Sequence, residues 1–408
     1  MPVDGAGRAS GSLSARMRWI LVVATVTALL LAGLAAHDWW TQTDDAPVVQ
    51  ALSSVADPGR HTAPAAAPEQ VLASASMPSS AASRAAVPDP SCPAPWRALA
   101  GQPADAIDKV FRRLRPAALA HAGQLLSTSS EAFERIAGRL LLARSRDVDS
   151  PPDAETYLAL VSEALSSNDP RLAALATQLC DTAPPEHAAA CSSMSASRWA
   201  AVDPDNVQAW LAVAAEALER TDPRTAREAL ARAAQARTSR LIWSDLMPLS
   251  NSPALQALSP VDRQVLAADL VGVGSMLGNN GLLAISRLCS VDALHAAQRR
   301  QECSAIAGLM IDHGDTLIEH GIGIGLARRA GWPSEQIDPL AEEQRALSEA
   351  LGEETNFALE QAGPMTEAQA CETYRRVEAA FALVSSGNEL QVARRALQRR
   401  QATAAAPP

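Results

Sequence analysis

The chain of 408 residues carries 35 Lys and Arg against 45 Asp and Glu, a formal charge of −10, and 48 % of it is hydrophobic. An acidic balance with a pI near 5.3 excludes the broad basic face with which nucleic-acid binders release counterions from phosphates. About the first 95 positions differ in composition from the rest, leaving roughly 300 residues for folded structure, enough for one long array or two shorter ones.

Residues 1–18 form an N-terminal tail containing Arg8, Arg16 and Arg18. Trp19 to Ala36 (WILVVATVTALLLAGLAA) follows without a charge. As a helix it is about 27 Å long, just enough to cross a hydrocarbon core of roughly 30 Å. Arginines before it and Asp38, Asp44 and Asp45 after it place the N-terminus in the cytoplasm by the positive-inside rule. The expected topology is single-pass in a bacterial inner membrane through residues 19–36, with the C-terminal domain in the periplasm. The same order of segments fits a cleaved signal peptide, with Gly33-Leu34-Ala35 as the small-x-small site. Trp19, Trp39 and Trp40, where an interfacial aromatic belt belongs, favour a retained anchor.

Residues 37–95 are dominated by Ala, Pro, Ser and short polar residues, with too little apolar bulk to offset backbone ordering, and read as a disordered tether. Beyond them lie five of the six cysteines, Cys180, Cys191, Cys289, Cys303 and Cys371, the sixth being Cys92. An even number outside the cytoplasm points to disulfides, for which six cysteines allow 15 connectivities. Two local pairs share a context: Leu-Cys at a helix end, a short turn, then Cys-Ser. These are Cys180 with Cys191 and Cys289 with Cys303, which leaves Cys92 to Cys371. No CxxC occurs, so zinc and redox readings lack their spacing.

From Trp96 to Gln401 the sequence reads as helices separated by Asp-Pro, Pro-Pro and Gly-containing breaks, among them 104–126, 131–144, 154–166, 170–180 and 206–220. Asp169-Pro170 and Asp222-Pro223 make helix starts, the Asp capping free amides and the Pro occupying the first turn; Asp203-Pro204 offers the same, with Asp205 or Asn206 as a further cap candidate. Tyr157 to Cys180 and Trp210 to Ala233 align without a gap, 53 positions apart, sharing 10 of 24 residues. Such self-similarity marks stacked helical units.

In the second copy Trp210, Val213, Ala214, Ala217, Ala226, Leu230 and Ala233, with Pro204 ahead of them, resemble the packing positions of a tetratricopeptide repeat. Tyr157, Leu160, Ala164, Ala173 and Cys180 follow the register more loosely. The spacing of 53 leaves room for an additional helix over 185–201. The resemblance implies a concave groove offering Gln208 and Glu219 to a partner; the alternative is that both are simply solvated. The expected fold class is therefore all-α, an irregular solenoid of helical hairpins over residues 96–401, ending in a disordered tail at 402–408.

The stretch Ile311 to Gly325 gathers Asp312, His313, Asp315, Glu319 and His320, but the two histidines, seven apart, would stand about 10.5 Å from one another along a helix, too far to share an ion. Gly321, Gly323 and Gly325 lack the strand that a phosphate loop needs, and close helix packing accounts for them. Gly272, Gly274, Gly278 and Gly281 read as a turn between helices. Trp199, Trp210, Trp243 and Trp332 read as packing residues, and Arg394, Arg395, Arg399 and Arg400 as a basic final helix. No catalytic motif emerges, and no cofactor or metal is expected. The expected function is a membrane-anchored periplasmic scaffold binding a protein partner of the envelope. An all-helical envelope enzyme acting on glycan or peptide, and a secreted ligand-binding domain, are the alternatives.

Overall fold

A computed structural model describes residues 92–102, 106–147, 151–277, 280–355 and 364–405. Among them the chain is all-α. The helices are α1 (Ala94–Arg97), α2 (Ala106–Ser127), α3 (Ala132–Arg146), α4 (Ala154–Ser166), α5 (Pro170–Asp181), α6 (Ala188–Cys191), α7 (Ala196–Val202), α8 (Val207–Glu219) and α9 (Pro223–Ala233). They continue with α10 (Trp243–Leu246), α11 (Pro260–Met276), α12 (Asn280–Leu288), α13 (Ala297–His313), α14 (Leu317–Arg329), α15 (Ser334–Thr355), α16 (Glu367–Val384) and α17 (Glu389–Ala405). The described residues pair as strands only in an isolated bridge between Asn206 and Thr238. No described helix is long and apolar enough to cross a membrane. The membrane segment expected at 19–36, and the linker up to residue 91, lie outside the described residues.

The helix starts follow from side-chain capping. Asp169 accepts from Arg171 N and Asp222 from Thr225 N, each followed by proline in the first turn, while Asn206 accepts from Gln208 N ahead of α8. The two repeat copies thus form the helix pairs α4–α5 and α8–α9. The segment between them differs from expectation: residues 185–201 form not one helix but a 3₁₀ turn (Pro185–His187), α6 and α7. Ser195 accepts from Arg198 N to start a new helix there, and the Cys180–Cys191 bridge ties α6 back to α5. The ends differ too: the first described helix starts at Ala94, ahead of residue 96, and α17 runs to Ala405 through part of the expected tail.

Small residues let the helices approach closely. A Cβ on Gly123 would lie 2.8 Å from Gly138 O, and one on Gly138 2.5 Å from Ser127 N, so α2 and α3 pack backbone to backbone. The largest apolar core draws on Leu119, Leu126, Phe133, Leu160, Leu172, Trp199 and Leu266. A second draws on Leu211, Leu230, Ile285, Ile306, Met310 and Leu326, and Trp210 and Leu288 pack against both. In a third, Trp96 meets the rings of Phe111 and Tyr374 edge-on, joining the N-terminal segment to α16.

Three disulfides close the structure: Cys92–Cys371, Cys180–Cys191 and Cys289–Cys303, the pairing read from the sequence, with no free cysteine left among the described residues. Bridges of this kind persist in oxidising, extracytoplasmic compartments. Cys92–Cys371 spans 279 positions, and the reciprocal bonds Gly101 N to Met365 O and Met365 N to Gln102 O reinforce it.

One ion cluster ties α2, α3 and α11 together. The carboxylate of Asp269 on α11 is fully buried and bonds Arg115 of α2 and, through both oxygens, Arg144 of α3 at 3.1 and 3.2 Å. Breaking a buried pair by neutralising one member leaves unmatched charge and costs about 3–5 kcal/mol. Asp269→Asn is therefore expected to lower the unfolding free energy by about that amount in urea titrations with the disulfides intact; a loss below about 1 kcal/mol would show the cluster to be a solvated surface pair.

Candidate functional site

The acidic stretch at Ile311 to Gly325 is divided between two helices. α13 ends at His313 and α14 starts at Leu317, with Thr316 as its cap accepting from Glu319 N. His313 and His320 therefore do not share one helix. His313 and Asp312 are exposed, whereas His320 is buried with Nδ1 2.6 Å from Gln344 Oε1, and burial pushes its ring below the ordinary value. No group of His, Cys, Asp and Glu among the described residues has the arrangement of a metal site.

Glu319 is the centre of what the fold brings together here. It is 0 % exposed. Gln208 Nε2 and Ser239 Oγ donate to its Oε1 at 2.7 and 2.6 Å, while Asp315 N and Thr316 Oγ1 donate to Oε2 at 3.1 and 3.2 Å. Burial pushes this carboxyl above its ordinary value against the pull of those donors. Gln208 is thus an interior residue, not a concave surface position: its amide lies between Glu319 and Ser239, at 3.1 Å from the latter. Glu219, at the end of α8, is exposed.

Two further carboxyls adjoin this point without any local sequence signal. Glu389, opening α17, accepts from Leu317 N at 2.9 Å, and burial, followed by the charge of Glu319, raises it. Asp245 on α10 faces Arg240 at 3.2 Å, yet burial lifts it to about 6 from an ordinary 3.8. Asp315 is raised as well, by burial first, and takes a bond from Asn388 Nδ2 at 2.7 Å.

The glycine runs serve packing. Gly321, Gly323 and Gly325 lie inside α14, and a Cβ on Gly323 would stand 3.0 Å from Ala307 O of α13. Gly272 and Gly274 are within α11 and Gly281 within α12, not in one turn; Gly274 abuts the Trp243 ring and Gly281 abuts Leu211. Trp199 is buried, and Trp210 and Trp332 donate to Pro204 O and Ser304 Oγ. In the basic final helix, Arg394 pairs with Glu343 and Arg400 with Glu349 and Glu353 on α15.

The surface offers a different feature. Where the end of α8 and start of α9 meet α12 and α13, a depression of about 390 Å³ opens, its apolar floor formed by Leu218, Pro223, Leu288, Ala293 and Ala296. Arg227, Arg287 and Arg299 line it. Arg299 pairs with Glu302 at 3.5 Å, while Arg227 and Arg287 are exposed. The two most exposed large apolar side chains of the described residues belong to the same segment: Leu283, 65 % exposed and one helical turn before Arg287, and Val291, 67 % exposed, between the bridged Cys289 and Cys303. The disulfide fixes the loop carrying Val291, Ala293 and Ala296 against α13. Sequence inspection passed over this region because its residues come from four helices and include no motif.

Comparison with protein-family models, with curated proteins and with solved structures finds no match for this chain.

The raised carboxyl of Asp245 carries a pH signature. A group whose folded value exceeds its unfolded one contributes stability that is complete below the unfolded value and is lost as pH rises through the folded value. Thermal unfolding midpoints are therefore expected to fall as pH rises from about 4 to about 6, and Asp245→Asn to flatten that fall. A variant with the wild-type slope would assign the titration to another group.

Proposed function

We propose that this chain is a membrane-anchored scaffold of the cell envelope. Residues 19–36 hold it in the bacterial inner membrane with the N-terminus in the cytoplasm, and the helical domain works in the periplasm as an irregular, tetratricopeptide-like solenoid of hairpins. Its task is to present a docking surface to a protein partner. The observation that carries this reading is the depression between α8–α9 and α12–α13, where an apolar floor meets the exposed side chains of Arg227 and Arg287, on a segment that also carries the exposed Leu283 and Val291. Exposed apolar groups rimmed by charge mark interaction surfaces. Charge complementarity points to one occupant, an acidic segment bearing bulky apolar side chains from another envelope protein. Glu319 and Gln208 support the architecture and not catalysis, since both are enclosed by helices.

A photo-crosslinking residue at Leu283 in the membrane-bound chain tests the proposal. The crosslinked peptide, identified by mass spectrometry, is expected to carry several Asp or Glu beside bulky apolar residues, and Arg227→Glu with Arg287→Glu to cut its yield at least tenfold. A basic or neutral peptide, or a yield indifferent to the charge reversals, would contradict the assignment.

A further inference from the structure

The first turn of α14 receives two carboxylates where one would satisfy it. Asp315 N and Thr316 Oγ1 donate to Glu319, and Leu317 N donates to Glu389 of α17. A helix N-terminus carries roughly half a positive charge, so two ionised carboxylates leave an excess of about one and a half negative charges there. The groups bonded to this pair among the described residues are all neutral: Gln208, Ser239, Thr316 and backbone amides.

Among the described residues, charges on the surrounding elements do not relieve it. From the segment around α10, Arg240 is spent on Asp245 and acts on Asp315, and Asp315 itself adds negative charge next to Glu319. From α15, Glu343 pairs with Arg394 of α17 at 3.4 Å, and Gln344 takes up the ring of His320. The one remaining device is a proton.

The same contact is what docks the C-terminal helix. Glu389 holds Leu317 N, Asn388 holds Asp315 Oδ1, and Leu390 N reaches Asp315 O at 3.1 Å. Behind them a small separate core of Leu317, Leu347, Leu351, Leu390, Val392 and Ala393 closes α17 onto α14 and α15. The turn before α17 pivots on Gly387, whose φ of +75° and approach to Ser244 O exclude any side chain.

We propose that this junction is a proton-dependent latch: while the pair Glu319 and Glu389 holds one proton, α17 is closed on the domain, and loss of that proton loosens its first turn. Both carboxyls are raised in the folded state, so the stability they confer is complete at pH below about 4.5 and is lost as pH rises through their folded values. The latch therefore closes in acid and slackens toward alkaline pH. It is independent of the docking depression, which lies on other helices.

Hydrogen exchange of amides 389–400 in the detergent-solubilised full chain, corrected for the intrinsic pH dependence of amide chemistry, tests the latch at pH 5 and pH 8. Wild type is expected to lose at least tenfold protection at pH 8. Glu389→Gln keeps an acceptor for Leu317 N without the charge and is expected to show pH 5 protection at both values. Asn388→Ala removes the acceptor for Gln391 N, which caps α17, and the bond to Asp315 without altering the pair, and is expected to lower protection equally at both. A wild-type ratio indifferent to pH, a wild-type ratio retained in Glu389→Gln, or the same flattening produced by Asn388→Ala would overturn the proposal. Should Glu389→Gln not fold, the infrared band of a protonated carboxyl decides in the wild-type chain: present at pH 5 and lost along with protection by pH 8 it supports the latch, and absent at pH 5 it overturns it.

Discussion

A carboxylate placed inside a protein without a cation must be met by donors from wherever the chain can supply them, and Glu319 imposes that demand on this fold. Its four donors come from α8, the segment after α9, and the turn that opens α14. The last helix arrives at the same place through Glu389 and Asn388. The second repeat copy, the acidic stretch and the C-terminus are thus fixed relative to one another by one buried acid, much as α2, α3 and α11 are fixed by Asp269. Such contacts specify an arrangement more sharply than apolar packing does, because a displaced helix leaves charge or amide unsatisfied in the interior.

That specification matters in a chain built largely from short, alanine-rich helices. Alanine favours the helix but buries little area, so each interface contributes modestly and many neighbouring registers would be nearly equal in energy. Glycines at 123 and 138 let two backbones touch, recovering dispersion contacts that larger side chains would provide elsewhere. The three disulfides act on the other side of the balance by restricting the unfolded chain. For a loop the size of that between Cys92 and Cys371 this is worth about 5 kcal/mol in the chain-entropy account.

Local chemistry made much of this legible. Asp-Pro pairs marked the starts of α5 and α9, apolar spacing marked α2 to α5 and α8 to within a residue or two, and the repeated Leu-Cys and Cys-Ser contexts singled out the cysteine partners. What was not legible required knowledge of distance in space. Gln208 looked like a groove residue because its place in a helix resembles one. Its amide in fact faces Glu319, 111 positions away. Glu389 opens a helix like any acidic residue, and nothing around it in sequence announces Leu317. The depression escaped for the same reason, its arginines being scattered over α9, α12 and α13 among many others.

A rigid interior and an exposed apolar surface are what the proposed binding role requires. Under that proposal the buried acids hold the helices so that Arg227, Arg287 and the loop bearing Val291 keep a constant geometry, and the charge on the rim would select what settles on the apolar floor. The claim beneath this account is that Glu319 couples the second repeat copy to the C-terminal half. A double-mutant cycle of Gln208→Ala and Glu319→Ala, followed by urea unfolding at neutral pH, measures that coupling. The account predicts an interaction of about 1–3 kcal/mol between the two positions; strictly additive losses would mean that the two halves pack side by side and that the buried acid joins nothing.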